Sequence, residues 1–493
     1  MALLPEVQSQ YGRLLLYIDG KFVESETDEW LAVMNPAKGK KIAEVPFATI
    51  EEVDKAIESA ARAFERWRET PVPTRVQYLF RMKEAMERHK EELARLVVQN
   101  HGKTIDEARG EVRRAIENIE TAMGVAYILQ KGEQLDDIAR GIDEYLIREP
   151  LGVAGIISPF NFPVMVPFWF MPYALAVGDT VVIKPSEITP VPFHWVMKIL
   201  HEEVKLPPGV VNVIYGRAKQ GARLLEHKDV FGIAFVGSTK VAKILYEEAG
   251  KLGKRALLQA SAKNYAIVMP DAKMDLTATN LISSFFGNTG QRCLANAVLV
   301  PVGEAYEKLV PKFIDLASKI RMGYGLDEDT EMGPMTTKQG KDRVLHYIEK
   351  GIEEGAKLVL DGRNKSVPEY PDGYWVGPTI FEDVTPDMTI AQEEIFGPVA
   401  SIMRAGSLDE AIEMANSTRY GNASSIFTSD GKVAREFRRK IKVGNIGINI
   451  GIAAPMAFFP FGGMKESFFG VIHGQIDSVD FFTDKKIVIV RWW

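Results

Sequence analysis

From Val153 onward, short apolar β-branched runs alternate with longer segments of helical periodicity. VAGII, TVVI, VVNVIY, IAFV and AIVM predict strands over 153–157, 180–183, 210–215, 233–236 and 266–269. Between them the pattern predicts helices over 165–177, 192–204, 220–227 and 240–252. Strands alternating with helices of this length form βαβ units around a parallel sheet, with right-handed crossovers. In such sheets ligands bind beyond the carboxyl ends of the strands. Upstream, residues 50–125 read as charged amphipathic helices, and 132–149 as a polar hairpin. A second α/β region runs from about 275 to 460, with strands over 297–301 and 446–450 and a long helix over 338–354 closed by Gly355. The C-terminal SVDFFTDKKIVIVRWW is strand-like. Its apolar residues predict that it adds to a neighbouring sheet, of this chain or of a second subunit.

Residues 150–178 carry no charge and exceed the roughly 20 residues that a membrane helix needs. Prolines at 150, 159, 163, 167 and 172 break the segment, which is assigned instead to a buried strand, a loop and a helix. The N-terminus meets Pro5 and Glu6 before an apolar run forms, so a secretory signal is not expected.

Composition narrows the function. The 493 residues suffice for two large domains without disulfide or metal staples. A net charge of -6 argues against a general nucleic-acid-binding surface. The chain has one cysteine, Cys293, so it forms no internal disulfide and no thiolate metal cluster, which fits a reducing cytoplasm. Its seven histidines are scattered and none forms HExxH, so a metal enzyme is not expected.

A lone cysteine is most often a small buried hydrophobe. Cys293 has a different setting, FFGNTGQRCLAN. Gly287 and Gly290 are expected to let the backbone approach a ligand, and Arg292 is expected to favour the thiolate. SPFNFP (158–163) follows the first strand. Asn161 there could donate to a developing oxyanion, or merely satisfy a turn between two prolines. KPSE (184–187) follows the second strand. Its lysine and glutamate could bind ribose hydroxyls, or cap a helix. FVGST (235–239) ends a strand at Gly237–Ser238, where helix N–H groups favour phosphate. Neither GxGxxG nor GxSxG occurs.

In this order and at these spacings, SPFNFP, KPSE, FVGS, GQRCLA and EEIFGPV (393–399) resemble the aldehyde dehydrogenase superfamily along nearly the whole chain. HGKTIDEARGEVRRAIENIE, AKNYAIVMPDA and APMAFFPFGGMKESFFG are similar to its CoA-acylating methylmalonate-semialdehyde dehydrogenase branch. The resemblance implies two Rossmann-like α/β domains with a small β oligomerisation extension. An NAD-binding domain would comprise 1–131 and 150–258, a catalytic domain 259–460, and the extension 132–149 and 477–493. It implies a homodimer or homotetramer.

The resemblance also implies roles. Cys293 attacks the aldehyde, and Asn161 with the Cys293 N–H holds the oxyanion. Lys184 and Glu187 hold the adenosine ribose, with Glu187 favouring NAD over NADP. Ser158, Phe160, Gly237 and Ser238 line the coenzyme site, and Glu394 with Phe396 flanks the nicotinamide ribose. Arg114 and Arg292 recognise a substrate carboxylate by planar, bidentate pairing. Arg114 alone would read as a helix salt bridge among Glu107, Glu111 and Glu117. Two positions depart from the superfamily. Gln259 stands where hydrolytic members carry the glutamate that activates water, and Ser261 replaces a glycine. An amide cannot act as that base, which fits CoA as acyl acceptor. The implied reaction oxidises methylmalonate or malonate semialdehyde to propionyl-CoA or acetyl-CoA with loss of CO2. The alternatives are a hydrolytic aldehyde dehydrogenase and a non-catalytic cofactor-binding protein.

Overall fold

The computed structural model describes residues 3–128, 130–470 and 472–493. The alternation that begins at Val153 becomes one large sheet. Across it, the strands are Phe468–Phe469, Arg255–Gln259, Val230–Val236, Val153–Ile157, Thr180–Lys184, Val211–Val213, Leu16–Ile18 and Lys21–Val23. The five from Arg255–Gln259 to Val211–Val213 run parallel, and the outer strands pair antiparallel. Val153–Ile157 and Thr180–Lys184 are buried at every residue, as expected of strands covered by helices on both faces. Chain order reverses at Val153–Ile157. Thr180–Lys184 lies on one side of it and Val230–Val236 on the other. A crevice at such a switch point is where these sheets bind ligands.

The second sheet orders Lys357–Leu360, Thr379–Glu382, Val399–Ile402, Asn296–Pro301, Asn264–Val268, Ala423–Phe427 and Asn445–Ile448. It is parallel except at the Lys357–Leu360 edge. The first sheet meets the cleft through loops that follow its strands, at 158–164, 184–187 and 237–238. The second meets it through loops that precede its strands, at 260–263, 291–295 and 393–398. One sheet thus offers carboxyl ends and the other amino ends.

The helices begin where their chemistry directs. Ile50–Trp67 opens on a Thr49–Glu52 capping box, and Thr239–Lys251 on the Ser238 hydroxyl. Ile105–Ile128 packs against Met165–Phe168 and Met171–Val177. The single helix expected over 165–177 is these two pieces. Pro172 occupies the first turn of the second, where its missing N–H costs nothing. The helix expected over 192–204 starts earlier, as Pro190–Ile199, and closes in a wide turn, Leu200–Val204, in which Lys205 N–H donates to Leu200. The strand expected over 210–215 shortens to Val211–Val213.

The C-terminal segment first forms a short helix, Ser478–Phe482, that buries Phe481 and Phe482. Thr483–Arg491 then pairs along all of Ile142–Pro150, which pairs with Glu133–Ala139. The sheet it joins is this chain's own hairpin. Leu135, Ile138, Ile487, Ile489, Trp492 and Trp493 of this unit stay exposed. Among the described residues no helix is long and apolar enough to cross a membrane.

Candidate active site

Two cavities meet at Cys293. The larger, about 650 Å³, runs from the switch point to the second sheet. Ser158, Phe160 and Asn161 line it from the turn after the first strand, and Lys184 and Glu187 from the turn after the second. Gly237, Ser238, Glu394 and Phe396 complete it. The smaller, about 250 Å³, is lined by Arg114 and Arg292 with an apolar wall that includes Phe162, Trp169 and Phe461. The residues given catalytic, coenzyme or substrate roles by the resemblance therefore each face one cavity or both, while Gln259, Ser261, Gly287 and Gly290 line neither.

On the larger side, Lys184 Nζ donates to the Gly216 carbonyl at 2.7 Å and lies 3.7 Å from Glu187. Burial holds the Lys184 ammonium below its ordinary range, while Glu187 opposes the shift. Arg217 approaches Glu187 from the other side at 3.9 Å. Deeper in, Phe160 meets Phe396 edge-on at 5.8 Å. Phe396 has φ of 58°, a left-handed conformation uncommon without glycine and of the kind stored at functional sites. Glu394 Oε1 accepts from the Ala262 N–H at 2.8 Å, and burial raises its carboxyl above the usual range. The neighbouring Lys263 donates to the Glu393 carbonyl at 2.9 Å, and burial pulls it down to about 7.

The loop carrying the cysteine is held from several directions. Asn288 and Thr289 both have φ of 54°. The Cys293 carbonyl accepts from the side-chain amides of Asn264 at 2.8 Å and Asn422 at 2.7 Å. Asn161 Nδ2 donates to the Gln291 carbonyl at 2.9 Å, which brings that amide to the cysteine loop. The N–H groups of Cys293 and Leu294 favour the thiolate. Two sequence expectations change here. A Cβ on Gly290 would lie 2.1 Å from the Gly397 carbonyl oxygen, and one on Gly287 would lie 2.8 Å from Arg292. Both glycines make room for protein, not for a ligand. The thiol is also not held as thiolate. Burial, then the Glu394 charge, pushes it up to about 12, against weaker help from those N–H groups and Arg292. Arg292 helps least of these, and its guanidinium also pairs with Glu107 at 2.8 Å.

On the smaller side, Arg114 pairs with Glu117 at 2.6 Å and touches the Met456 sulfur. It is thus both the helix salt bridge and a cavity residue. Gln259 lines neither cavity. Its side chain is buried and donates to the Phe461 carbonyl at 3.3 Å. Ala260 lines the larger cavity in its place. Whichever of the two positions is compared with the hydrolytic glutamate, neither carries a base.

The sequence did not single out the residues behind these. Asn264 and Asn422 anchor the cysteine carbonyl from strand ends 158 residues apart in the chain. Lys103 and Glu111 form a fully buried ion pair at 2.7 Å beneath the Asn161 turn. Their motif, HGKTIDEARGE, was visible, but nothing in its spacing says that it packs against residue 161.

A parallel sheet with a nucleotide-sized cleft at its switch point, opening onto a thiol, defines an α/β enzyme of the dehydrogenase kind. The chain belongs to the aldehyde dehydrogenase family, whose sequence profile matches residues 22–488. It is 47% identical over 477 residues to malonate-semialdehyde dehydrogenase 2 of Geobacillus kaustophilus, covering 97% of this chain and 98% of that one. Its structure is similar to that of methylmalonate-semialdehyde dehydrogenase from Oceanimonas doudoroffii, with TM-score 0.96, 41% identity, and 98% and 99% of the two chains covered. An NAD+ complex of aldehyde dehydrogenase from Bacillus cereus matches with TM-score 0.93 and 33% identity over 98% and 97% of the chains.

Proposed function

We propose that this aldehyde dehydrogenase oxidises malonate or methylmalonate semialdehyde with NAD and passes the acyl group to CoA with loss of CO2. The observation that carries the reading is the junction of the two cavities at Cys293, with arginines on the substrate side and no glutamate at position 259 or 260. The names of the relatives point to the same substrates.

The larger cavity fits a dinucleotide. Ser158 Oγ is buried there without a hydrogen-bond partner, which leaves a polar atom for a ligand to satisfy. Lys184 and Glu187 would hold the adenosine ribose, Gly237 and Ser238 the pyrophosphate, and Glu394 with Phe396 the nicotinamide ribose. NAD, when bound, accepts the hydride from the substrate carbon. The Cys293 thiol loses its proton to water in the cavity and its sulfur bonds to the aldehyde carbon. The carbonyl oxygen becomes an oxyanion held by Asn161 Nδ2 and the Cys293 N–H. Loss of hydride from that carbon leaves a thioester on Cys293. The substrate carboxylate, first held by Arg114 and Arg292, then leaves as CO2, and its electron pair is delocalised into the thioester oxygen in the same hole. Water then protonates that carbon, the CoA thiol attacks the thioester, and the Cys293 sulfur departs and takes up the proton released by CoA.

The same reading places the enzyme in the cytoplasm as a homo-oligomer, dimer or tetramer. A single free thiol suits a reducing compartment, and the exposed apolar residues of the three-stranded unit suit subunit contact. Substrate identity is tested by steady-state rates with methylmalonate semialdehyde, malonate semialdehyde, succinate semialdehyde and propanal. The first two are expected to give the highest kcat/KM. Propanal as the best substrate would refute a carboxylate-reading cavity.

A further inference from the structure

Behind the turn that carries Asn161 lies a charged pair with no part in the chemistry above. Lys103 and Glu111 have no exposed side-chain surface and lie 2.7 Å apart. The pair reaches beyond itself. Lys103 Nζ donates to the Asn161 carbonyl at 2.8 Å and sits 4.0 Å over the Phe162 ring. Glu111 Oε1 accepts from the Val164 N–H at 2.8 Å and the Met165 N–H at 3.2 Å. The turn has few resources of its own. Pro159 and Pro163 have no N–H. Among the described residues, its one internal backbone hydrogen bond is Val166 N–H to Phe162 at 3.2 Å. Side chains therefore fix where residue 161 sits.

We propose that Lys103 and Glu111 are positioning residues for the Asn161 amide. They pin the backbone on both sides of the turn to the helix Ile105–Ile128, and so hold Nδ2 beside the Cys293 loop. The proposal rests on the reading of Asn161 as the oxyanion donor. Taking two ions out of water is costly, and apolar replacement of a buried pair is often tolerated by a fold. Stability alone does not call for this pair, whereas an oxyanion donor must be held within a few tenths of an ångström.

The test is the pre-steady-state burst of NADH formation in the full-length enzyme with saturating NAD and malonate semialdehyde. Lys103→Met/Glu111→Leu is expected to melt cooperatively and to bind NAD with Kd within about twofold of the parent. Its burst should be slower by about 10- to 100-fold, somewhat less than the loss on removing a donor outright. In an Asn161→Ala background the same two changes should slow the burst by less than about twofold, because they act through that amide. Glu111→Gln, which keeps an acceptor oxygen, should recover most of the rate that Glu111→Ala loses, and this holds if the double variant does not fold. A parental burst rate in the folded double variant would overturn the proposal. So would an equal loss with and without Asn161, or a loss of NAD affinity in step with rate. A parental burst in Asn161→Ala alone would remove the underlying reading of Asn161 instead.

Discussion

The two parallel sheets face the same cleft with opposite polarity. The first presents the carboxyl ends of its strands. There the chain leaves a rigid, fully buried strand and turns, and it is at these turns that Ser158, Asn161, Lys184, Glu187, Gly237 and Ser238 sit. The second presents amino ends, and its cleft residues lie in loops before the strands. Those loops are braced by side-chain amides, by Arg343 on the Glu394 and Ile395 carbonyls, and by backbone at positive φ. On the proposed roles, the contrast separates the adenosine and pyrophosphate end of the coenzyme from bond-making. Sites at carboxyl ends follow a general rule of open α/β sheets. Cys293, the proposed nucleophile, lies where that rule gives no guidance, and its position depends on contacts from distant segments.

If this division holds, changes in the Cys293 loop of the second sheet should stop chemistry and spare coenzyme binding, while changes at Lys184 and Glu187 on the first should do the reverse; Glu394 and Phe396, at the nicotinamide end of the cavity, stand between the two. The largest effect is expected for Cys293→Ala. Turnover should fall by about 10⁴-fold or more with NAD affinity retained, read by NADH production and by protein-fluorescence titration. Asn161 crosses the division, since it lies on the first sheet but serves the nucleophile. Asn161→Ala should lower kcat by about 10²- to 10³-fold with little change in KM for NAD. A pure KM effect would return it to the binding side.

Glu187→Ser should move the NADP/NAD ratio of kcat/KM toward NADP by about tenfold, because it frees Lys184 and Arg217 for a 2′-phosphate. Arg114→Ala should raise KM about tenfold for carboxylated semialdehydes and leave propanal unchanged, the loss of one charge-assisted contact. Equal harm to both substrate types would reduce Arg114 to its salt bridge with Glu117. A separate expectation concerns the resting thiol. With its pKa pushed up from 9.0 to about 12, raising the pH exposes thiolate. At pH 8 the ligand-free protein should be alkylated about 10³-fold more slowly than an ordinary thiol, with the rate rising about tenfold per pH unit to pH 10. Glu394→Gln removes one of the charges responsible and should speed alkylation several-fold at pH 8.

Much of the first sheet was legible in the sequence, because strand burial, β-branched runs and the turns after them are local. Positions 153–157 and 180–183 were read to within a residue, and Ser158, Phe160, Asn161, Lys184 and Glu187 face the cleft as expected. What failed to show locally was partnership. Arg292 looked like a free cation beside a thiol, but its counter-ion is Glu107, 185 residues away. Gly287 and Gly290 looked like ligand contacts, but they accommodate Arg292 and Gly397. Gln259 was placed by sequence at the position of a catalytic base, yet the strand turns its side chain toward Phe461 and gives the cavity wall to Ala260. The Lys103–Glu111 pair was hidden for the same reason: its meaning depends on a turn 50 residues downstream.

The central claim is that oxidation leaves an acyl group on Cys293 that awaits a thiol. Intact-protein mass spectrometry after mixing enzyme, NAD and malonate semialdehyde without CoA tests it directly. The account predicts one acetyl group per chain, located on Cys293, that persists until CoA is added and is then recovered as acetyl-CoA in equal amount. Unmodified protein accompanied by rapid, repeated release of free acid would contradict it.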